Sequence, residues 1–223
     1  SLVGGHTEIS HGLDHPIVVG CMLGEVSKDS IVTTSGATPG DSLVITKGIA
    51  LEGSSILARE KASLLLKAGV SQSTLDRARE YLFSPGINVV REALTACSTV
   101  DVHSLHDPTE GGLATGLWEV AKAANVGINI QEEKIPITLE CATICDSLGL
   151  DPLGLLASGA LIITLPRNQV SKLRHTLKMD GIQSWEIGAV VETPLDVTLS
   201  GKHCHRLMPT FERDELARFF DSN

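Results

Sequence analysis

The sequence predicts an α+β fold, a mixed sheet layered with helices, and three observations carry that expectation. Segments with apolar residues at helical spacing alternate along the chain with short apolar runs of strand length. Breaks rich in glycine and proline separate them, as at residues 36–41 and 84–86. The last two strand-like runs are adjacent, which points to a mixed sheet.

Residues 3–26 read as two short strands around a polar turn at residues 10–15, and both need a partner sheet. After the turn at 36–41, a strand over 43–46 leads through Gly48 to a helix over 53–67, with Leu57, Leu64, Leu65 and Ala68 on one face. Ser71 opens a second helix running to residue 82, and Ser84-Pro85-Gly86 breaks it. A third helix covers 89–96, and residues 100–105 form a strand that delivers Asp107. Leu113, Leu117, Val120, Ala121 and Ala124 then recur at helical spacing, so a helix starts near Glu110 or Gly111. Next come a strand over 128–130, a helix over 138–148 and a strand over 160–165. Pro166 suits the first turn of a helix that turns Val170, Leu173 and Leu177 inward. Strands over 185–191 and 195–199 close the domain, and 212–220 is a terminal helix.

Composition narrows the function classes. At 223 residues, with 42% hydrophobic and 20% charged residues, the chain can bury a substantial core and is not of the disordered class. A net charge of −9 and an aromatic share of 3% argue against an extended nucleic-acid footprint or a base-stacking surface. No run approaches the roughly 20 apolar residues that cross a bilayer. Five cysteines without a CxxC pair fit reduced thiols, and hence the cytoplasm.

The stretch His106-Asp107-Pro108-Thr109-Glu110-Gly111-Gly112-Leu113 carries the most chemistry. It sets a carboxylate, a hydroxyl and two glycines at the mouth of an amphipathic helix. If that helix end faces solvent, Gly111 and Gly112 offer backbone N–H groups to an anion. Asp107 holds a cation that bridges to phosphate oxygens, since magnesium commonly takes one or two carboxylates plus phosphates. Ordinary capping by Asp, Thr and Glu is the competing reading of the octapeptide.

Other constellations are weaker. Lys47 follows a strand before Gly48 and is a phosphate or substrate contact without a Walker pattern; Glu52-Gly53 has a similar status. His6 and Glu8 alternate, so one of them at most faces a given pocket. His203-Cys204-His205 lacks a second ligand pair and is not read as a zinc site. Cys141 and Cys145, four apart on a helix, read as buried small hydrophobes.

Taken together, Gly4-Gly5-His6-Thr7, the segment 36–60, the Asp107 motif, and Leu148 to Leu153 followed by Ala157-Ser158-Gly159-Ala160-Leu161 resemble the aminoimidazole ribonucleotide (AIR) synthetase superfamily. Its members include thiamine monophosphate kinase, selenophosphate synthetase and the hydrogenase-maturation carbamoyl dehydratase. The carboxy-terminal domain of that family matches best, over roughly residues 3–200. The resemblance implies three parts: strands left from an amino-terminal ATP-binding domain over 1–35, the carboxy-terminal domain over 36–200, and a tail over 201–223. It implies ATP and Mg2+ as cofactors, phosphoryl transfer to an unidentified small molecule, and a homodimer. Gly4, Gly5, His6, Thr7, Lys47, Thr109, Gly111 and Gly112 would serve the nucleotide and Asp107 the metal. The chain reads as amino-terminally truncated, because the family's acidic half-site precedes its first residues. It ends Phe220-Asp221-Ser222-Asn223, where the dehydratase branch has a terminal cysteine, so dehydratase chemistry is not expected. The alternative is a non-catalytic binding or dimerisation module that keeps the fold.

Overall fold

The computed structural model describes residues 2–193, 195–201 and 205–222. The chain falls into two units, Ser1–Ile31 and Val32–Asn223. Residues 2–31 of the first unit are exposed, and a short 3-10 turn at Lys28–Ser30 is the only element among them. The two strands expected over 3–26 are therefore absent. A strand must hydrogen-bond its backbone to a neighbour, and the described residues of this unit provide none.

The second unit opens its sheet with β1 (Asp41–Thr46), all six residues of which are buried. The helices α1 (Leu51–Glu60) and α2 (Ala62–Lys67) follow, where one helix was expected. The break is at Lys61 (φ −118°, ψ 22°), and it resets the helical phase: Leu57 and Leu65 stay buried while Leu64 turns outward. Ser71 caps α3 (Gln72–Glu80) by accepting from Thr74 N–H, and the chain then breaks at Ser84-Pro85-Gly86. Next come α4 (Val90–Thr99), β2 (Ser104–His106), α5 (Gly112–Ala124) and β3 (Gly127–Gln131). Thr138 caps α6 (Leu139–Leu148) through Cys141 N–H. After β4 (Ile162–Pro166), a 3-10 turn at Arg167–Gln169 leads into α7 (Val170–Met179), so Pro166 ends the strand and the helix begins later than expected. The chain finishes with β5 (Ser184–Val191), β6 (Val197–Ser200), β7 (His205–Leu207) and α8 (Glu215–Ser222). The sequence reading did not include β7.

The sheet order is β2-β4-β1-β5-β3-β6-β7. Neighbours are antiparallel except β3 and β6, which are parallel, so the sheet is mixed. β5 and β6 are consecutive in the chain, but β3 lies between them. Alternation along β1 sends Leu43 and Ile45 to one face and Val44 to the other. Leu43 and Ile45 belong to a core that includes Leu57 of α1, Leu75 of α3, Leu113 and Leu117 of α5, and Ile144 of α6. Val44 joins Ile163 and Leu165 of β4 against Ala96 of α4 and Leu173 and Leu177 of α7. The result is three layers with helices on both faces. Cys141 and Cys145 pack in the larger core, 4.0 Å apart. Among the described residues no helix is long and apolar enough to cross a membrane.

Two carboxylates tie helices to this core. Glu140, at the start of α6, accepts from Tyr81 Oη at 2.6 Å and from Arg77 Nε, which joins it to α3. Burial pushes its carboxyl up, but the hydrogen bonds from Tyr81 and Arg77 outweigh that and hold it below the ordinary value. Asp214 is buried at the start of α8, accepting from Leu216 N–H at 2.7 Å and Gly111 N–H at 2.8 Å. Burial pushes its carboxyl up, opposed by backbone N–H donors led by Gly111.

Because the folded Glu140 carboxyl is depressed, its stabilisation is fully present above about pH 4.3 and is lost as pH falls through the folded value. Glu140→Gln is expected to cost about 1 kcal/mol at neutral pH, and the gap to wild type in urea denaturation should close as pH falls through the folded value. Asp214→Ala leaves the Gly111 N–H buried without an acceptor and uncaps α8. It should lower stability by about 2 kcal/mol in the same measurement.

Candidate functional site

Strand register places the two chemically distinctive segments at one end of the sheet. His106 pairs with Ile162, and Ile162 pairs with Ile45 on the other side. The chain beyond β2 and the chain beyond β1 therefore emerge together, the first carrying Asp107 and the second Lys47.

Asp107 is exposed, and its carboxylate has no hydrogen bond or ion pair among the described residues. The loop that holds it is well tied. Thr109 Oγ1 donates to the Asp107 carbonyl at 3.3 Å. The Thr109 carbonyl accepts from Gly112 N–H at 3.2 Å and Ala157 N–H at 3.1 Å. Just before it in the chain, His106 Nε2 lies 2.8 Å from Glu119 Oε2.

The amino end of α5 differs from the solvent-facing anion site expected of Gly111 and Gly112. Both glycines are buried, and both amides are already paired, Gly111 with the Asp214 carboxylate and Gly112 with the Thr109 carbonyl. Within the same first turn, Ala114 N–H donates to the Leu153 carbonyl. The protein's own acidic side chain thus occupies the positive end of the helix. Glycine is required here for shape. Gly111 and Gly112 have φ +74° and +66°, and a Cβ on Gly112 would sit 2.4 Å from the Leu153 carbonyl oxygen. Gly53 likewise makes room for packing, since a Cβ there would meet Leu155 at 2.6 Å.

Lys47 is buried rather than presented to solvent. Its Nζ lies 2.7 Å from Glu92 Oε1 and donates to the Asn88 carbonyl at 2.6 Å. Its backbone is left-handed (φ 61°), as is that of Ala50 (φ 55°), an arrangement that costs a non-glycine residue about 1–2 kcal/mol. The pair lies in the wall of a cavity of about 1040 Å³ under residues 82–92 and 180–183. Sequence reasoning missed Glu92. It lies three residues after Val89 and four before Ala96, on the apolar face of α4, where a carboxylate must be paired.

Gly4, Gly5, His6 and Thr7 belong to the first unit and are exposed, in no helix or strand. His203 and Cys204 lie outside the described residues. Among the described residues no group of three or more His, Cys, Asp or Glu side chains could hold a metal ion. Asp107 alone can still serve magnesium, which takes one or two carboxylates and fills its other positions with water and phosphate oxygens.

The sequence profile described as AIR synthase related protein, C-terminal domain, matches residues 38–200. A putative hydrogenase expression/formation protein of Methanocaldococcus jannaschii is 28% identical over 179 residues, covering 80% of this chain and 50% of the relative. A selenide, water dikinase of Clostridioides difficile is 29% identical over 224 residues, covering 85% of this chain and 59% of the relative. The crystal structure of the hydrogenase maturation protein HypE in complex with ATP superposes with a TM-score of 0.63 at 23% identity, covering 86% of this chain and 57% of that one. The chain thus spans between half and three-fifths of these proteins' lengths. With the profile matched from β1 to β6 and the same fold in a solved relative, the chain belongs to the AIR synthase-related family, whose carboxy-terminal domain it contains.

Proposed function

We propose that the chain is the carboxy-terminal part of an ATP-dependent enzyme that transfers a phosphoryl group to a small molecule. The observation that carries this reading is the exposed Asp107 carboxylate, unpaired and held on a tied loop at the sheet end that Lys47 shares. The dikinase relative is named for phosphoryl transfer and the solved HypE structure holds ATP, which supports the same chemistry here. Asp107 would hold magnesium, which would supply charge neutralisation to the phosphates. Thr109 lies beside it on the loop, and Gly4, Gly5, His6 and Thr7 contact nucleotide across a homodimer. Gly111 and Gly112 seat the loop instead of donating to phosphate. The reaction takes place in the cytoplasm, and neither nucleic acid nor membrane takes part.

A second reading, a non-catalytic binding or dimerisation module, is favoured by one observation. The α5 amides at Gly111 and Gly112 are satisfied internally. Calorimetric titration of the protein expressed from its whole gene with magnesium-ATP separates the two. The enzyme reading expects saturable binding that Asp107→Asn weakens at least tenfold, about 1.4 kcal/mol. Absence of binding favours the module, and equal affinity in the variant removes Asp107 from the site.

A further inference from the structure

α4 and α7 pack side by side on one face of the sheet and run antiparallel. Arg91, at the start of α4, donates to the Asp180 carbonyl at 3.1 Å, where α7 ends; Lys172, at the start of α7, donates to the Thr99 carbonyl at 2.6 Å, where α4 ends. The charge of this two-helix surface is opposite to that of the chain. The sequence has 27 acidic and 18 basic residues, yet residues 167–179 contain Arg167, Lys172, Arg174 and Lys178 and no acid. All four are exposed, and none has an ion pair among the described residues. Arg91, likewise exposed and without an ion pair, stands at the Asp180 end of the row.

The acids that border the row do not neutralise it. Asp101 stands at one end, where its N–H donates to Gln169 Oε1, and Asp180 at the other, where it accepts from Thr95 Oγ1. Glu186, on β5 near Arg174, takes its hydrogen bond from Ser42. Helix stability does not account for the row either. Lys178 in the last turn suits the helix dipole, but Arg167 just before α7 and Lys172 in its first turn put positive charge where the dipole is already positive. Those two cations oppose the helix they sit on. Lys172 Nζ and Arg174 Nε are held by the Thr99 and Ser184 carbonyls, so two of the cations are fixed in place with further N–H groups unclaimed.

Beside the basic row, α4 turns Val90 (54% exposed) and Leu94 (66% exposed) outward, on the side away from its buried Glu92 and Ala96. We propose that the α4–α7 surface docks an acidic, amphipathic segment of another protein, its carboxylates on the basic row and its apolar residues on Val90 and Leu94. From Arg167 to Lys178 the row runs roughly 17 Å, the length of about three helical turns. A nucleic acid fits less well, because neither helix carries a Phe, Tyr or Trp to stack a base and a longer polyanion would run onto an acidic molecule. A membrane surface fits less well too, since α7 commits Val170, Leu173 and Leu177 to the core. The proposal does not depend on the ATP reading.

The probe is a synthetic helical peptide of three turns, made of Glu and Leu in amphipathic order, with a control in which every Glu is replaced by Lys. Each is titrated into the full chain without nucleotide and followed by NMR at the amides of 167–179 and the methyls of Val90 and Leu94. The acidic peptide is expected to shift these signals saturably, the basic control to leave them in place, and ionic strength raised from about 0.05 to about 0.3 M to weaken binding about fivefold or more. Arg167→Glu combined with Lys178→Glu should weaken it about tenfold, and Leu94→Ser, which leaves every charge intact, about threefold. Signals unmoved by the acidic peptide, equal shifts with the basic control, or undiminished binding in either variant overturns the proposal. Tighter binding of decathymidylate or of phosphatidylserine vesicles at this surface also overturns it, in favour of a nucleic acid or a membrane. None of these outcomes bears on whether the protein binds ATP.

Discussion

Burial of β1 on both faces is the constraint on which the rest of the structure depends. A strand covered by helices above and below cannot slip by one residue, because every side chain would change layers. With β1 fixed, its pairings with β4 and β5 fix theirs, and β4 in turn fixes β2. The ends of β1 and β2 are thereby held at one edge of the molecule. Asp107 and Lys47 share a region of space through a register set by the apolar residues Leu43, Val44 and Ile45.

Buried charged groups near that edge are paired. The α5 amino end is sealed by Asp214, Glu140 gathers Tyr81 and Arg77, and Lys47 is neutralised by Glu92. Two carboxylates keep oxygens without a partner among the described residues. Asp107 is left bare at the surface, and Glu92 keeps one buried oxygen unpartnered. The first is open to solvent, and the second is sealed from it.

Much of this was legible in the sequence where the signal is local. The α5 stripe of Leu113, Leu117, Val120 and Ala121 is buried as its spacing implied, and the caps Ser71 and Thr138 open their helices. The AIR-synthase resemblance and the layered mixed sheet also stand. What escaped is long-range or purely conformational. Asp214 reaches Gly111 across 103 residues, so the occupation of the helix end could not be read from the octapeptide. The break at Lys61 lacks a glycine or proline to announce it. The apolar run Ile17-Val18-Val19 has strand composition, but composition cannot supply a hydrogen-bonding neighbour. Glu92 was legible in principle, as a charge on an apolar helical face, but its partner Lys47 lies on another element.

The central claim is that a divalent ion sits with ATP at Asp107, and paramagnetic relaxation addresses it directly. β2 and β7 are the opposite edges of a seven-stranded sheet, so residues near Asp107 and residues of β7 stand roughly 29 Å apart. With manganese in place of magnesium and ATP present, the account predicts that the amide signals of Asp107 and Thr109 broaden beyond detection while those of Arg206 and Leu207 keep their widths. Unchanged signals at Asp107 and Thr109 under saturating manganese-ATP would contradict it.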